Sequence, residues 1–500
     1  MVKRIFVLEA SGPTIDIVRK YASQLPTLQQ FLNQGAWSRL SGPLQPGLPT
    51  SFATLLTGKN PGKTGLFNSF KLPSGGYHRI SYSSIPLSAD TFYQRLSDAG
   101  IEVGLLNVPL TSPLPRIKGF VVSGDEGIGE EYAYPSELNK KLTSFGYFVP
   151  FGASYSPGRE MSFFKHCMDV LEMQRQALHL LFRDRQWQFG MLTLYALGEI
   201  MHAFWKYYDQ RHPDFRPFSE SFGDVDPFLE GLRTIDRMLS EIIELTGADG
   251  LTIMLGAWGH RLEHSKVHLN ALLEQKGYLV FKSAITSCIK HLFYRTGLTA
   301  AFVEQMLHRL NLYKFIRHRV KSRKGAAFSG SLFLSYQDID WPRTRAVALG
   351  NLGQVYLNDR EHRPSGTISK EQYSSERNHL CQLLEDLRDP NTGGQVVERV
   401  FTREEIYFGK EVTHAPDLVV KFQEGYSGDG GFSGGGSLVT KSPRNHSSDH
   451  CNESVFFALG AGIKPGQVDA GLEDIAPTVL CALDVEVPDD YDGKILPIFA

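Results

Sequence analysis

The side chains of this chain that could do chemistry are histidines and carboxylates beside short apolar runs. His202 follows Glu199 in "ALGEIMHAFW", and His450 follows Asp449 in "NHSSDHCNESVFFALG". Two imidazoles and one carboxylate satisfy the coordination geometry of Zn or Fe.

Three further histidines follow the apolar run "GLTIMLGAW" at intervals of four residues. These are His260, His264 and His268. Their imidazoles could turn toward a metal site, since neutral imidazole is a common metal ligand. The sequence favours the other interpretation, in which all three are exposed histidines of a loop.

Short apolar runs and amphipathic segments must position these side chains. The runs "RIFVLEA", "EVGLLNVP", "FGMLTLYAL", "GLTIMLGAW" and "SVFFALGAG" are mostly continuous, as is typical of strands buried on both faces of a sheet. Residues 91–99, 162–183 and 226–246 space their apolar residues three and four apart, which predicts helices. The alternation predicts an α/β fold with helices on both faces of the sheet.

The composition excludes several classes of protein. Apolar residues make up 42% of the 500 residues and charged residues 21%, which is typical of a globular chain. The net charge of −2 argues against a protein that coats nucleic acid, and we expect no nucleic-acid partner. No stretch of about 18 apolar residues occurs, so we expect a cytoplasmic protein. The odd number of cysteines, without a CxxC pair, predicts reduced thiols.

Several motifs in order along the chain resemble the alkaline phosphatase superfamily, in particular its type I phosphodiesterase and nucleotide pyrophosphatase family. They are "LLTGKNPGKTGLFN" (55–68), "IMHAFWKYYDQRHPDF" (200–215), "VHLNALLEQKGYL" (267–279), "LRDPNTGGQVVERVFTREEIYFG" (387–409), "APDLVV" (415–420) and "EDIAPTVLCALDVEVPDDYDGKIL" (473–496). The resemblance runs nearly end to end. It implies an alkaline-phosphatase-like α/β fold, in which helices flank a central, mostly parallel sheet. It also implies a two-metal hydrolase site at the carboxyl ends of the strands.

The nucleophile that the resemblance implies is missing. The family has a Thr or Ser ten residues before the Gly of "TG", and this position is Leu48 here. A leucine has no oxygen to attack phosphorus or to bind a metal. Thr50 and Ser51 lie close by in "LPTSF", and a shifted loop could present one of them as a displaced nucleophile.

One of the two ions in the family is bound by an Asp and two histidines. The matching positions here are Gly198, His202 and His450, so the two imidazoles remain and the carboxylate is lost. Asp449 or Glu199 is a candidate replacement for that carboxylate, so the resemblance implies a single-metal site of His202, His450 and one of these two residues. His202 is either a remaining metal ligand or a hydrogen-bonded histidine in a packed site.

The other ion relies in the family on the positions of Glu9, Leu48, Ala257 and Trp258. Only Glu9 keeps a ligand, and it is either a displaced metal ligand or a strand-end glutamate paired with a cation. An indole offers only an N–H donor, so we expect Trp258 to fill the space of an ion. The usual two-zinc site is therefore not expected. No metal, or one divalent ion such as Zn, is expected instead, with Glu9, His202 and His450 as the remaining ligands.

Three hypotheses for the function follow. The first is a pseudo-hydrolase that binds an anionic or phosphorylated ligand, or a partner, without the two-metal reaction. The second is an enzyme with repurposed single-metal or metal-free chemistry, in which Glu9, His202 and His450 act as acid, base or ligand. The third is a metal-dependent phosphodiesterase or pyrophosphatase with Thr50 or Ser51 as nucleophile and with substitute metal ligands from residues 260–268. Any activity would be that of a hydrolase or transferase acting on phosphate esters or related groups.

The sequence divides into three segments. Residues 1–270 and 331–500 are expected to form the two parts of the α/β core, and residues 271–330 a helical, basic cap insertion. The stretch 280–324 ends in a dense basic run, which indicates an anion-binding or membrane-surface face or else a solvated cap edge. Residues 424–437 are rich in Gly and Ser and are predicted to form a flexible loop, either a lid or a plain connector. The oligomeric state leaves no mark in the sequence.

Overall fold

The structure is a computed structural model. It describes residues 2–71, 76–77, 80–81, 87, 90–125, 131–149, 155–300, 302–303, 306 and 333–499.

The strands, in chain order, are β1 (Arg4–Ala10), β2 (Ala36–Ser41), β3 (Phe70–Lys71), β4 (Ile80–Ser81), β5 (Val103–Val108), β6 (Gly119–Ser123), β7 (Ala133–Tyr134), β8 (Phe189–Leu194), β9 (Gly250–Leu255), β10 (Gly259–His268), β11 (Ala346–Leu349), β12 (Gln354–Leu357), β13 (Val397–Thr402), β14 (Leu418–Phe422), β15 (Gly425–Asp429), β16 (Val439–Lys441), β17 (Ser448–Cys451), β18 (Glu453–Gly460) and β19 (Gly466–Gln467).

The α-helices are α1 (Ile15–Tyr21), α2 (Pro26–Gln34), α3 (Leu48–Thr57), α4 (Pro61–Thr64), α5 (Phe92–Asp98), α6 (Glu137–Phe145), α7 (Glu160–Phe182), α8 (Ala196–Tyr208), α9 (Ser219–Phe222), α10 (Pro227–Thr246), α11 (Leu269–Gln275), α12 (Ile285–Arg295), α13 (Lys370–Glu385), α14 (Arg403–Ile406) and α15 (Ile475–Ala482).

A sheet of nine strands forms the centre of the fold. Its order is β19-β2-β18-β9-β1-β8-β5-β6-β7. Five of the neighbouring pairs are parallel and three are antiparallel, so the sheet is mostly parallel. This architecture confirms the α/β prediction, including all five predicted strands and the helices predicted within 91–99, 162–183 and 226–246.

The first strand shows why the sheet is buried on both faces. Side chains alternate between the two faces of a strand. Phe6 and Leu8 of β1 therefore pack in one apolar cluster, with α1, α2, α7, α8 and α10. Ile5 and Val7 pack in a second cluster on the other face, with α3, α5 and α15. Burial on both faces explains why such strands are continuously apolar in sequence.

Strand β10 links the large sheet to the second half of the chain. It pairs with β15 and β16 in a smaller sheet, and its first residues pair with β17. A further antiparallel sheet has the order β11-β12-β14-β13. A third apolar cluster joins residues 267–279 to residues 339–439. The division at 270 and 330 stays a prediction.

The Gly-rich segment 424–437 is only in part the flexible loop that its composition predicts. Gly425–Asp429 forms β15, which pairs in parallel with β10. Ladder hydrogen bonds use backbone groups only, so a neighbouring strand can order even a glycine-rich stretch. The prediction of a loop was wrong for these five residues, and the lid remains a prediction for the rest.

The insertion is helical where the structure describes it. Helix α12 carries Ile285, Ile289, Leu292 and Phe293, which are exposed apolar side chains spaced along one face. The basic run that ends at Lys324 lies outside the described residues.

Two findings bear on environment and redox state. None of the five cysteines, all within the described ranges, forms a disulfide, which agrees with reduced thiols. Among the described helices, none is both long enough and apolar enough to span a membrane. The expected cytoplasmic location stays a prediction.

Candidate functional site

The expected site lies where three neighbouring strands end. Strands β9, β1 and β8 are adjacent and parallel, so their carboxyl ends meet at one edge of the sheet. Glu9 is near the end of β1, Gly198 lies in the first turn of α8 after β8, and Ala257 follows β9. The carboxyl edge of such a sheet is the usual place for a ligand site.

One half of the site is apolar. Leu48 is the first residue of α3 and packs, with Phe52, Ala257 and Trp258, in the second apolar cluster. We call these four residues the apolar side. The Trp258 ring lies 6.1 Å from that of Phe52 and 4.8 Å from that of His450, measured between ring centroids. This packing agrees with the expectation that the indole fills space that an ion would need.

Glu9 is completely buried and has no cationic partner among the described residues. Its Oε1 accepts hydrogen bonds from the Ser11 hydroxyl and from the amide of Ala257, the latter at 3.1 Å. Its Oε2 has no partner in the described part of the chain. Burial raises the pKa of Glu9 to about 7, although the hydrogen bonds from Ser11 and Ala257 oppose the shift. The alternative of a glutamate paired with a cation is therefore wrong, since backbone and hydroxyl donors hold the carboxyl.

The other half of the site is a group of three imidazoles, His202, His260 and His450, which we call the histidine cluster. One ring nitrogen from each lies within 4.8 Å of the other two. The Nε2 atoms of His202 and His450 are 3.1 Å apart. The structure thus brings together two predicted residues, His202 and His450, with one, His260, whose place in the site is only the less favoured alternative from the sequence.

His260 is not the exposed loop residue that the sequence favours. It lies in β10, opposite His450 in the antiparallel pair with β17, and its side chain is 2% exposed. Directly paired residues point to the same face of a sheet, so the two imidazoles face the site together. His264 and His268 also lie in β10 rather than in a loop, and His268 is buried against Thr440 and Asp429. The loop prediction was wrong because strand pairing orders the whole segment.

The carboxylates proposed as a third ligand lie elsewhere. Asp449 is opposite Arg261 in the β10–β17 pair, one residue out of step with His450, so it faces away from the imidazoles. Burial raises the pKa of Asp449 to about 6, and the negative charge of Glu263 adds to this shift. Glu199 lies near Cys167 of α7. Burial raises the pKa of the Cys167 thiol, and the charge of Glu199 adds to this shift. Neither carboxylate belongs to the group of ligand atoms that the described residues form.

Hydrogen bonds fix the orientation of the three rings. His202 Nδ1 lies 2.7 Å from the carbonyl oxygen of Ser448, and His260 Nδ1 lies 2.8 Å from the hydroxyl of the same serine. That hydroxyl donates to the Met201 carbonyl at 3.1 Å, so it accepts from His260. The His450 Nε2 atom is within hydrogen-bond distance of His202 Nε2, and the Pro46 carbonyl opposes the lowering of the His450 pKa by burial. Ser448 therefore orients two of the three imidazoles.

The histidine cluster is electrically neutral at neutral pH. Burial and the neighbouring imidazoles lower the pKa of His202 and of His260 well below the ordinary histidine value. Burial likewise lowers the pKa of His450 to about 4. Neutral imidazole is the form that binds metals.

Thr50 and Ser51 lie inside helix α3 rather than in a loop, and both are buried. The Ser51 hydroxyl accepts a hydrogen bond from the Gly47 amide at 3.3 Å. The Thr50 hydroxyl has no partner among the described residues. The displaced nucleophile stays a prediction, but it requires a helical side chain rather than a shifted loop.

The two halves of the site offer different donors. The apolar side offers no oxygen or imidazole ligand, and the Glu9 carboxyl is already engaged through Oε1. The histidine cluster fits one ion, since three nitrogen donors with a fourth position open are a common Zn arrangement. A bound ion there would supply Lewis acidity to an anionic ligand.

A mostly parallel sheet between helices, with its site at the carboxyl ends of the strands, defines an alkaline-phosphatase-like protein. The family model of type I phosphodiesterase / nucleotide pyrophosphatase matches residues 6–449, and the chain belongs to this family. The sequence comparison finds no significant match among curated proteins.

Two solved structures support the fold. The phosphonoacetate hydrolase of Sinorhizobium meliloti 1021, in complex with phosphonoformate, has a TM-score of 0.56 and 14% identity, with 96% of this chain and 95% of that chain covered. A mutant of the alkaline phosphatase PafA has a TM-score of 0.52 and 13% identity, with 100% and 99% covered. At these identities the similarity concerns the fold, which it confirms as alkaline-phosphatase-like.

Proposed function

We propose that this protein has lost the two-metal hydrolysis of its family and acts as a pseudo-hydrolase. Its site binds an anionic or phosphorylated small molecule, with at most one divalent metal ion, for which Zn is suitable. The observation that carries the proposal is the apolar side, where Leu48, Ala257 and Trp258 pack in a hydrophobic cluster.

The chemistry of the family explains why this packing matters. Hydrolysis with two ions needs one metal to activate the nucleophile and another to stabilise the phosphoryl oxygen. It also needs a nucleophilic side chain. The apolar side provides neither ligand nor nucleophile, and Trp258 contacts both Phe52 and His450. A second ion there would have to displace a buried indole.

An anionic ligand is supported by the setting of the site. Helix α3 begins at Leu48, and its N-cap residue, Gly47, has no side chain to cap the free amides. Uncapped amides at a helix N-terminus favour a phosphate or carboxylate. The phosphonoacetate hydrolase, which shares the fold, holds phosphonoformate in its structure. Phosphonoformate and inorganic phosphate are therefore suitable first ligands.

The test combines turnover with binding. Purified, tag-free protein is incubated with bis(p-nitrophenyl) phosphate and Zn, and phosphonoformate binding is measured by calorimetry. We expect no turnover above the buffer rate and saturable binding. Rapid diester cleavage with two Zn per chain would contradict the proposal. Leu48→Ala serves as a control that changes the apolar side without adding a ligand.

Glu9 supports an alternative function, an enzyme with repurposed single-metal or metal-free chemistry. Its free, buried Oε2 and a pKa near 7 suit a general acid or base. Such an enzyme would use Glu9 with His202 and His450. If the double substitution of both histidines by Ala leaves every activity and binding event unchanged, this alternative fails.

The unpartnered hydroxyl of Thr50 supports the remaining alternative, a phosphodiesterase or pyrophosphatase with a displaced nucleophile. The double variant Thr50→Ala, Ser51→Ala would then abolish diester turnover without unfolding the protein. Unchanged turnover in the folded variant would exclude both hydroxyls as nucleophile.

The exposed apolar face of α12 supports contact of the insertion with a membrane surface. Residues 280–303 contain Lys282 and Arg295 but no acidic residue, which suits an anionic lipid surface, whereas Lys290 is paired with Asp338. Co-sedimentation with vesicles of anionic lipid should be lost on the exchange of Ile289 and Phe293 for Ser. Equal sedimentation of the variant would contradict this contact.

A further inference from the structure

We propose that His202, His260 and His450 bind one divalent transition-metal ion through their Nε2 atoms, and that His260 replaces the Asp that the family has at position 198. This inference rests on the proposed function, since it specifies the one ion that the site retains. Neither the family resemblance nor the matched structures assign His260 to a metal.

The spacing of the nitrogens is that of a ligand set. A Zn–N bond of about 2.0–2.1 Å in tetrahedral geometry places two ligand nitrogens about 3.3 Å apart. The Nε2 atoms of His202 and His450 are 3.1 Å apart, and all three nitrogens lie within 4.8 Å of one another. Small adjustments of the side chains would bring the third nitrogen to the same distance.

The hydrogen bonds at Nδ1 leave Nε2 as the lone-pair atom of His202 and of His260. His202 Nδ1 donates to the Ser448 carbonyl, and His260 Nδ1 donates to the Ser448 hydroxyl. Metal-binding histidines typically donate their other N–H in this way. The Nε2 atoms of His202 and His450 are within hydrogen-bond distance of each other, and a bound ion would replace that contact.

His260 Nε2 is the strongest sign of a missing partner. It is buried and has no hydrogen-bond partner among the described residues. An unpaired buried nitrogen is unfavourable, so a structure normally supplies it with a donor, a water or an ion. One nitrogen of the same ring lies within 4.8 Å of a nitrogen of each of the two other imidazoles of the histidine cluster.

Gly198 explains why His260 can occupy this place. A Cβ added to Gly198 would lie 3.5 Å from His260 Nε2 and 3.3 Å from the Ser11 carbonyl. The carboxylate of an Asp at 198 would extend from that Cβ into the space that His260 Nε2 occupies. An Asp at 198 and a histidine at 260 are therefore alternative third ligands, and this chain has the histidine.

The donor set selects the metal and the ligand. Three imidazoles favour Zn, Co, Ni or Cu over Mg and Ca, which prefer oxygen. Three protein ligands leave a fourth position open. An anionic group, such as a phosphate or phosphonate oxygen, would bind there directly to the metal.

The experiment measures metal binding without any activity. Tag-free protein is stripped with a chelator, reloaded with Zn or Co(II), and analysed for metal content and for the visible bands of tetrahedral Co(II). We expect one ion per wild-type chain. His260→Ala should weaken binding at least about 100-fold and remove the tetrahedral bands, because one of three ligands is lost.

Two variants complete the test. His446→Ala is the matched control, since its ring is 5.4 Å from that of His202 but is not part of the ligand group, and it should keep the ion. The double variant Gly198→Asp, His260→Ala should regain the ion with a changed Co(II) spectrum. If His260→Ala does not fold by circular dichroism, His260→Gln takes its place.

The outcomes separate this inference from the proposed function. Two ions in the wild type would overturn the proposed function as well. No ion in the wild type would overturn this inference alone and leave a metal-free pseudo-hydrolase. One ion that survives His260→Gln or His260→Ala with an unchanged spectrum would show that His260 is not a ligand.

Discussion

The histidine cluster and the apolar side lie next to each other at the same edge of the sheet. The cluster offers nitrogen ligands for a metal ion, whereas the apolar side offers no metal ligand. The cluster brings three neutral imidazoles close together, and those of His202 and His260 form hydrogen bonds through Nδ1. The apolar side packs Leu48 and Trp258 into the hydrophobic core. Trp258 contacts His450 and so separates the two halves.

The comparison shows that the donors for an ion are concentrated in one half of the site. Apolar side chains in the other half gain burial against the core behind them. The imidazoles of His202 and His260 are held by hydrogen bonds to Ser448, so removing one leaves buried polar groups without partners. The two halves are therefore under different physical constraints.

The largest effect is expected from restoring the family ligands on the apolar side. The triple variant Leu48→Thr, Ala257→Asp, Trp258→His supplies a nucleophile and two ligands beside Glu9. We expect metal content to rise by one ion per chain and diester turnover to appear. Elemental analysis and bis(p-nitrophenyl) phosphate hydrolysis measure both. A folded variant with unchanged metal content would mean that the apolar side was not an ion site.

The second largest effect is expected from removing the indole of Trp258, which packs against its neighbours. Trp258→Ala leaves a cavity beside Phe52 and His450, and we expect it to lower the free energy of unfolding by about 3–5 kcal/mol. Urea denaturation measures this change, and Trp258→Phe is the control with a smaller loss. A loss below about 1 kcal/mol would show that the indole is not part of the core.

Glu9 should make stability depend on pH. Burial raises its pKa from 4.5 to about 7 in the folded protein. The folded state then binds the proton more tightly, so this contribution is complete below pH 4.5 and is lost as pH rises to about 7. Glu9→Gln should remove a difference of the order of 2–3 kcal/mol between pH 5 and pH 8. Urea denaturation of both proteins at the two pH values measures it, and equal pH dependence would contradict the assignment to Glu9.

The smallest effect is expected for Asp449. Its carboxyl faces Arg261 rather than the imidazoles, so Asp449→Asn should leave metal content and affinity unchanged. Metal titration of the variant beside wild type is the measurement. A loss of metal comparable to that of His202→Ala would restore Asp449 as the third ligand and exclude His260.

The sequence predicted the main architecture because strands and helices are indicated by the pattern of apolar residues within each short segment. Short continuous apolar runs such as 250–255 are typical of strands buried on two faces, and the spacing in 226–246 is that of a helix. The losses at Leu48 and Trp258 were also visible, since they follow from residue type alone once the family resemblance is recognised.

His260 was missed because its position depends on pairing between distant segments. Residues 259–268 carry few apolar residues, and β10 forms through partners at 425–429, 439–441 and 448–451. One indication was present, since His260 is two residues after Trp258 and side chains two apart share a face of a strand. Placing His260 on the same face as Trp258 requires knowing that the segment is a strand.

Ser448 gives the histidine cluster a common support. Its carbonyl and its hydroxyl hold two imidazoles from two different elements, and the third imidazole belongs to the same four-residue strand, β17. A displacement of this strand would carry all three rings in the same direction and preserve the distances between them. The geometry of the cluster is therefore insensitive to motions of the surrounding loops, and a single substitution at Ser448 would disturb it more than many changes farther away.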